Sequence, residues 1–262
     1  MEFKKVVGTR RSIRFYQPWR PVERAKIQAI LEAARLASRG VNAAFAKAIV
    51  VYRDKLSAQD RDSLKMPTTT AQLDLAPVWI LWYGDLSAIE RTNRGQTLKQ
   101  LIDVGALNPT HGWSYKYVED VIWAQVLKPL SETPQALAPF VAAETALAIC
   151  QALLCAVDEG LGTQLTALNN EAAKTLFDVP DEWMPIFTQL VGYPAESPEA
   201  GGQRPRGPFE QDFFEMRHGS PFARDPAVVE ALRREGMLQE PAPLPWRKQE
   251  VRALARMFGL PE

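Results

Sequence analysis

The spacing of apolar residues predicts an amphipathic helix over residues 22–37. Apolar side chains recur there at three- and four-residue intervals, which places them on one face of a helix: Ile27, Ile30, Leu31 and Ala34. Pro21 stands at the start of this segment and Gly40 lies just past its end. Proline is favoured at the first turn of a helix and glycine beyond its last turn, so both boundaries agree with the periodic pattern.

Short apolar segments rich in β-forming residues predict four strands, at residues 48–52, 77–83, 163–168 and 185–193. A run dense in alanine and leucine predicts a long helix over residues 140–159. Asn169 is a candidate cap for a short helix that follows. This mixed order of helices and strands favours an α+β fold over a helical bundle.

Two regions depart from this order. Residues 92–139 predict a helical insertion that carries four large aromatic side chains, Trp113, Tyr115, Tyr117 and Trp123. Towards the C-terminus prolines interrupt the chain repeatedly, with room for short helices near residues 227–236 and 246–258. We therefore expect a main domain over residues 1–207 and a C-terminal extension over residues 208–262, which packs on the main domain or on a partner subunit.

Charge and composition limit the partners and the cellular location that we expect for this protein. Lysine plus arginine total 31, as do aspartate plus glutamate, so the formal net charge is zero and a nucleic-acid partner is not expected. No signal-peptide pattern follows Met1, and no apolar run approaching the roughly 20 residues of a membrane span is evident. The sequence therefore predicts a cytoplasmic protein without a membrane partner.

The two cysteines, Cys150 and Cys155, lie in the apolar segment that is predicted to be helical. At about 100° per residue their side chains diverge by about 140°, so an intrachain disulfide is not expected. Buried, unreactive thiols are the expected state. No metal site is expected either, because neither His111 nor His218 lies near another ligand at metal-binding spacing.

Basic side chains form the most informative pattern. A short segment ahead of the first predicted helix contains three arginines and a serine: Arg10, Arg11, Ser12 and Arg14. A second basic cluster, Arg204 and Arg206, follows the last predicted strand. Guanidinium groups bind phosphates and carboxylates through planar, bidentate hydrogen bonds. The two clusters could therefore converge on one doubly charged anion.

Taken in order, several segments resemble the nitroreductase superfamily. The resemblance starts at residues 10–14, includes Asn42, and resumes at residues 159–163 and 191–194. It covers roughly residues 8–206, apart from the insertion. The resemblance implies an α+β fold with a mixed sheet flanked by helices, a homodimer, and bound FMN.

The resemblance also implies roles for the basic residues. Arg10, Ser12 and Arg206 match positions that hold the phosphate or ribityl chain of FMN. Arg204 is a plausible helper, and Arg11 belongs to the same basic cluster. A phosphate monoester carries close to two negative charges, so several cationic donors are needed to replace its hydration.

Arg14, Gly160 and Leu161 are the catalytic residues that the resemblance implies. Arg14 matches a basic position beside the N1 and O2 edge of the flavin, where a fixed positive charge would favour the negative charge gained on reduction. Gly160 and Leu161 match the segment whose backbone amide faces N5, and Gly162 belongs to the same segment. A glycine there would let the backbone approach the cofactor closely.

Three residues after the first helix also bear on such a site. Asn42 matches an asparagine that contacts the cofactor from the other subunit. Arg39 stands where the family has a phosphate-contacting serine, and Ala44 stands where it has a glutamine. We include Arg39 among the expected cofactor-binding residues, because its guanidinium would add charge at the phosphate.

The resemblance thus implies an FMN-dependent oxidoreductase. NADH or NADPH would supply electrons through flavin N5, and the acceptors would be electron-poor: nitroaromatics, quinones or enones. No catalytic triad is required, because the cofactor carries the chemistry. Two alternatives stay open. One is a dehydrogenase or dehalogenase that acts on a dedicated metabolite, which the aromatic insertion would favour, and the other is a non-catalytic flavin-binding or storage protein.

Overall fold

The structure, a computed structural model, describes residues 2–67 and 69–261; Met1, Thr68 and Glu262, which fall within the predicted domains, lie outside the described residues. Its middle layer is a sheet with the strand order β1-β2-β4-β3. The strands are β1 (Ala46–Tyr52), β2 (Val78–Asp85), β3 (Gly162–Thr166) and β4 (Trp183–Gly192). Neighbouring strands pair antiparallel, and a parallel bridge at the outer edge of β3 joins Thr163 to Ser12.

Helices cover the sheet and extend beyond it. In chain order they are α1 (Phe3–Thr9), α2 (Arg24–Arg35), α3 (Ala58–Leu64), α4 (Thr70–Leu75), α5 (Gln96–Asp103), α6 (Tyr115–Tyr117), α7 (Lys128–Ser131), α8 (Pro134–Asp158), α9 (Asn170–Leu176), α10 (Phe209–Asp212), α11 (Pro226–Arg234) and α12 (Arg247–Phe258). A π-helical segment, Val118–Leu127, joins α6 to α7. The predicted α+β class is confirmed, and Asn169 caps α9 by accepting from the amide of Ala172.

Strand β2 separates two hydrophobic cores. All of its residues are buried, and their side chains alternate between the two faces of the sheet. Trp79 and Leu81 pack in the core beneath one face. Ile80 and Trp82 pack in the other core, together with residues of α2 and α8. The continuous apolar run in the sequence of β2 therefore reflects a central strand that is covered on both faces.

Helix α8 spans 25 residues, or about 38 Å at 1.5 Å per residue. One side packs against α2 and the sheet through Ala148, Ile149 and Ala152. On another side Leu147 is 48% exposed and Phe140 is 37% exposed. By length and composition α8 would suffice to cross a membrane, a feature that the sequence analysis missed. Here it is a core helix with one uncovered apolar face.

Helix α8 also corrects two predictions. It begins at Pro134, whereas the sequence predicted a start near residue 140. Pro139 is tolerated in the second turn, because its missing N–H removes a single helical hydrogen bond. Cys150 is exposed and Cys155 is half-buried, so the prediction of buried thiols is wrong for Cys150. Apolar neighbours in a sequence do not reveal which side of a helix the rest of the chain covers.

The segment predicted as a helical insertion contains helices α5 to α7 and the π-helical segment, and it contributes to a third hydrophobic core. Val118 and Leu127 pack there with Leu137 and Val141 of α8. Of the aromatic side chains in the insertion, Trp113 and Trp123 are partly buried in this core. Tyr115 and Tyr117 are exposed. The insertion therefore covers the first half of α8 and not the end that leads to Gly160.

The C-terminal extension has two parts with different surroundings. Helix α12 lies on the N-terminal segment of its own chain, where the ring of Phe258 stacks on Phe15 and Trp19. Residues 208–225, which we call the aromatic arm, expose four large apolar side chains: Phe213, Phe214, Met216 and Phe222. Ring contacts within the arm join Phe209 to two of them, Phe213 and Phe222.

Arg11 links the N-terminal segment to this extension. Arg11 is only 4% exposed. The guanidinium donates to the carbonyls of Gly8 at 2.6 Å and Gly202 at 3.1 Å, and to Oε1 of Gln239 at 2.7 Å. The structure thus uses the guanidinium of this predicted cofactor-binding residue to hold three segments of the fold together.

We expect Arg11→Met to lower the free energy of unfolding by about 3 kcal/mol, because it leaves several buried acceptors without a donor. Urea unfolding followed by circular dichroism measures the loss. Arg35→Met is the control, since Arg35 is 64% exposed in its ion pair with Glu32, and we expect it to cost less than about 0.5 kcal/mol. Equal effects of the two substitutions would show that Arg11 does not hold these segments.

Candidate functional site

The N-terminal arginine segment lies along the outer edge of β3. Ser12 bridges to Thr163, and the amide of Ile13 donates to the carbonyl of Thr163 at 3.1 Å. Gly162 makes this approach possible, because a Cβ at that position would lie 2.9 Å from the Ile13 side chain. Residues 10–14 and 160–162 are therefore neighbours, as the resemblance implies for a shared site.

Side chains of the arginine segment alternate between inside and outside. Arg11 and Ile13 are buried, whereas Arg10 and Ser12 are partly exposed and Arg14 is exposed. The extended backbone explains this order, since successive side chains point to opposite sides. Arg10, Ser12 and Arg14 consequently share the outer side of the segment.

The second basic cluster joins the first on this outer side. Burial and the neighbouring Arg206 guanidinium lower the pKa of Arg10. Burial lowers the pKa of Arg204, and the nearby guanidiniums of Arg14, Arg247 and Arg10 lower it further. The hydrogen bond from Arg11 to the carbonyl of Gly202 holds the chain ahead of Arg204 beside the arginine segment, so the structure brings together the two basic clusters that the sequence analysis expected to converge.

Four of these cations, Arg10, Arg14, Arg204 and Arg206, form what we call the arginine cluster. The guanidiniums of three of them donate to backbone carbonyls, those of Ser12, Ala200 and Pro205. Within residues 2–67 and 69–261, no carboxylate lies within ion-pair distance of any of the four. Among the described residues this positive charge has no ion-pair partner, and a phosphate group with nearly two negative charges fits it.

The Gly160 turn ends α8 beside the arginine segment. Gly160 adopts φ +75°, the left-handed conformation that favours glycine, and a Cβ there would meet nothing within 4 Å. The amide of Gly160 donates to the carbonyl of Val157 at 3.0 Å, and that of Leu161 donates to Ala156 at 2.9 Å. Both N–H groups thus close the helix end, so this geometry does not present the amide that the resemblance implies beside flavin N5.

The structure does not bring Arg39 and Asn42 to the arginine cluster. Their loop lies against the first half of α8, where the amide of Gly40 donates to Glu144 Oε2 at 2.7 Å. Arg39 donates to the carbonyl of Arg35, and both Asn42 and Ala44 are exposed. From Glu144 to the end of α8 the helix runs about 21 Å. Within one chain, therefore, Asn42 and Gly160 belong to separate regions.

A pocket of about 220 Å³ lies beneath the arginine segment. It is lined by inward side chains of that segment and by the end of α8 and the β3 turn, including Thr9, Ile13, Val157, Leu161 and Pro198. The members of the arginine cluster are not among its lining residues. The pocket and the arginine cluster therefore occupy opposite sides of the same backbone segment.

Two charged residues beside this site escaped the sequence analysis. Glu196 is fully buried and accepts from the amide of Arg14. Arg247, in α12, pairs with the other oxygen of Glu196. A single acidic residue after the apolar run at residues 190–195 was the available signal, but nothing in the sequence connects it to an arginine in a distant helix.

Comparisons with solved structures agree with this fold. A nitroreductase family protein from Streptococcus pneumoniae TIGR4 is 19% identical, with a TM-score of 0.63 over 82% of this chain and 100% of that chain. A protein from Staphylococcus epidermidis ATCC 12228 that is assigned as an NAD(P)H:FMN oxidoreductase is 17% identical, with a TM-score of 0.60 over 74% and 88% of the two chains. A protein from Exiguobacterium sibiricum 255-15 that is assigned as a nitroreductase and was solved in complex with FMN is 19% identical, with a TM-score of 0.57 over 88% and 96%.

Sequence comparison gives the family. A search of curated protein sequences finds no match. The model of the nitroreductase family, by contrast, matches residues 7–193, which is well over half of the chain. This match confirms the resemblance and the predicted class of enzyme, a nitroreductase-type oxidoreductase. The chain belongs to the nitroreductase family.

Proposed function

We propose that this chain is an FMN-dependent oxidoreductase that passes electrons from NADH or NADPH to an electron-poor organic acceptor, such as a nitroaromatic, a quinone or an enone. The arginine cluster carries the proposal, because its charge has no carboxylate partner among the described residues and suits the phosphate of FMN. The two relatives whose names include FMN support the same cofactor.

Each member of the arginine cluster has a part in this proposal. Arg10, Arg204 and Arg206 would hold the phosphate, with the hydroxyl of Ser12 as a further donor. Arg14 would lie beside the flavin ring, where its positive charge favours the charge gained on reduction. When bound, FMN would supply the hydride chemistry that connects the nicotinamide to the acceptor.

A homodimer completes the proposed site. Gly160 and Asn42 lie in separate regions of one chain, so a second copy is needed to place both beside one cofactor. The uncovered apolar face of α8, with Phe140 and Leu147, offers a surface for that copy. The aromatic arm offers a second apolar surface, and it follows Arg206 directly.

An anaerobic titration tests the proposed function. NADH or NADPH added to the FMN-loaded protein should bleach the yellow absorption of the flavin, and a nitroaromatic or quinone added next should restore it. Protein that holds FMN but is bleached by neither nucleotide would contradict the reductase and favour a storage protein. Protein that binds no FMN would contradict both.

Arg10→Ala and Arg206→Ala should each weaken FMN binding roughly ten- to more than a hundredfold, because losing a charged partner of a phosphate costs about 1.5–3 kcal/mol. Riboflavin, which lacks the phosphate, should lose much less affinity. Fluorescence titration of apoprotein with both ligands measures the difference, and exposed Arg35→Ala serves as the control. Equal losses for FMN and riboflavin would show that the two arginines do not bind the phosphate.

Leu147→Glu should convert the dimer into a monomer, because it places a charge within the proposed apolar interface. Light scattering of the FMN-loaded protein at micromolar concentration measures the mass. Met257→Glu is the control, since Met257 is an apolar residue on α12 that is 65% exposed and outside the proposed interface. A wild-type protein with the mass of one chain would rule the proposed dimer out.

A further inference from the structure

The buried carboxylate of Glu196 has no role in the function proposed so far. Its side chain has no exposed surface. Oε1 accepts two backbone hydrogen bonds, from the amide of Arg14 at 2.5 Å and from the amide of Phe15 at 3.0 Å. One carboxylate oxygen therefore fixes the backbone of the residue that is proposed to lie beside the flavin ring.

The other oxygen of Glu196 is held from the C-terminal extension. Nη2 of Arg247 lies 2.6 Å from Glu196 Oε2, and Nη1 of Arg247 lies 2.6 Å from Oε2 of Glu250. Glu250 in turn accepts from the amide of Ser197 at 2.6 Å through its Oε1. Helix α12 thus holds both Glu196 and the residue that follows it.

The backbone near Arg247 is shaped to admit this contact. Gly201 adopts φ +82°, and a Cβ there would lie 2.6 Å from Cγ of the Arg247 side chain. The carbonyl of Gly201 also accepts from the amide of Leu244 at 2.8 Å, just ahead of α12. A residue with a side chain at position 201 would displace the arginine, so the path of Arg247 to Glu196 depends on this glycine.

Two other ionisable side chains, Tyr16 and Arg247, lie close to the carboxylate of Glu196. Tyr16 is fully buried nearby; burial raises the pKa of its hydroxyl, and the charge of Glu196 raises it further. Burial lowers the pKa of Arg247, but the carboxylates of Glu196 and Glu250 outweigh this and raise it. A buried ion pair contributes little net stability compared with apolar packing, because desolvation offsets the attraction. The ion pair between Glu196 and Arg247 is therefore better explained by the geometry that it fixes than by a gain in stability.

We propose that Glu196, held by Arg247 of α12, is a positioning residue that fixes the backbone of Arg14 and thereby sets the reduction potential of the bound flavin. The inference rests on the proposed function, since it needs FMN beside Arg14. It assigns a purpose to the last helix of the chain, which lies beyond the part that the family model matches. Arg14 itself would touch the cofactor, whereas Glu196 and Arg247 would act through it.

Glu196→Asp tests the positioning role, because it keeps the charge but shortens the side chain so that it cannot reach both Arg247 and the two amides. We expect the oxidised form of the flavin to become about tenfold more favoured, which lowers the two-electron potential by about 30 mV. FMN affinity should change less than threefold. Arg247→Lys, which keeps the charge but loses the planar fork, should lower the potential in the same direction.

A double-mutant cycle separates positioning from general damage. Arg14→Gln alone should lower the potential, and adding Glu196→Asp should lower it no further. Glu182→Asp is the matched control, since Glu182 is paired with Arg91 on another part of the chain and should leave the potential unchanged. A fall caused by Glu196→Asp that persists in the Arg14→Gln background would overturn the proposal, as would wild-type potentials in both Glu196→Asp and Arg247→Lys.

Amide hydrogen exchange gives a readout that does not involve FMN. In apoprotein, the amides of Arg14 and Phe15 should exchange at least tenfold faster in Glu196→Asp than in wild type. Unchanged exchange would overturn the positioning role regardless of the cofactor. If exchange accelerates but Arg14→Gln leaves the flavin potential unchanged, the assignment of Arg14 to the flavin ring is wrong, whereas the positioning of the Arg14 backbone by Glu196 is still supported.

Discussion

The length of α8 is the constraint on which the proposed site depends. A continuous helix of about 38 Å cannot fold back, so what lies at its two ends stays apart. Gly160 and the bridge between Ser12 and Thr163 follow its C-terminal end, and the loop with Asn42 lies on the first half together with the insertion. A twofold axis beside the uncovered face of α8 would place the first half of one helix near the end of the other. On this account the dimer is part of the site.

The edge of β3 also determines which arginines face into the fold and which face outward. The bridge between Ser12 and Thr163 fixes which side chains of the segment face inward. Arg11 goes into the fold, while Arg10 and Arg14 face outward. A shift of one residue would exchange these sets, as in any extended segment. The C-terminal extension reinforces the register from two directions, through Gln239 on Arg11 and through Arg247 on Glu196.

Much of the fold was predictable, because its signals are local. The period of Ile27, Ile30 and Ala34 identifies α2, and the apolar run of β2 identifies a central strand. The convergence of the two basic clusters followed from their chemistry, because guanidinium groups from two short segments suit one doubly charged anion. Within the N-terminal cluster, the sequence could not separate Arg11 from Arg10, since their division depends on which side of the segment β3 covers.

Other features depend on contacts between distant segments and have no local signal. Glu196 and Arg247 come together only when α12 packs on the N-terminal segment. The exposure of Cys150 reflects the uncovered face of α8, which no apolar composition reveals. The amides of Gly160 and Leu161 are engaged by α8 itself, because a left-handed glycine ends the helix there.

The central claim is that two chains build each cofactor site, and a mixed dimer tests it most directly. One chain would carry Arg10→Ala with Arg206→Ala, and a differently tagged chain would carry Arg39→Ala with Asn42→Ala. Each variant alone should bind FMN weakly. The mixed dimer, purified through both tags, should contain one intact site with wild-type affinity for FMN. A mixed dimer without any site of wild-type affinity would contradict a cofactor site shared between subunits.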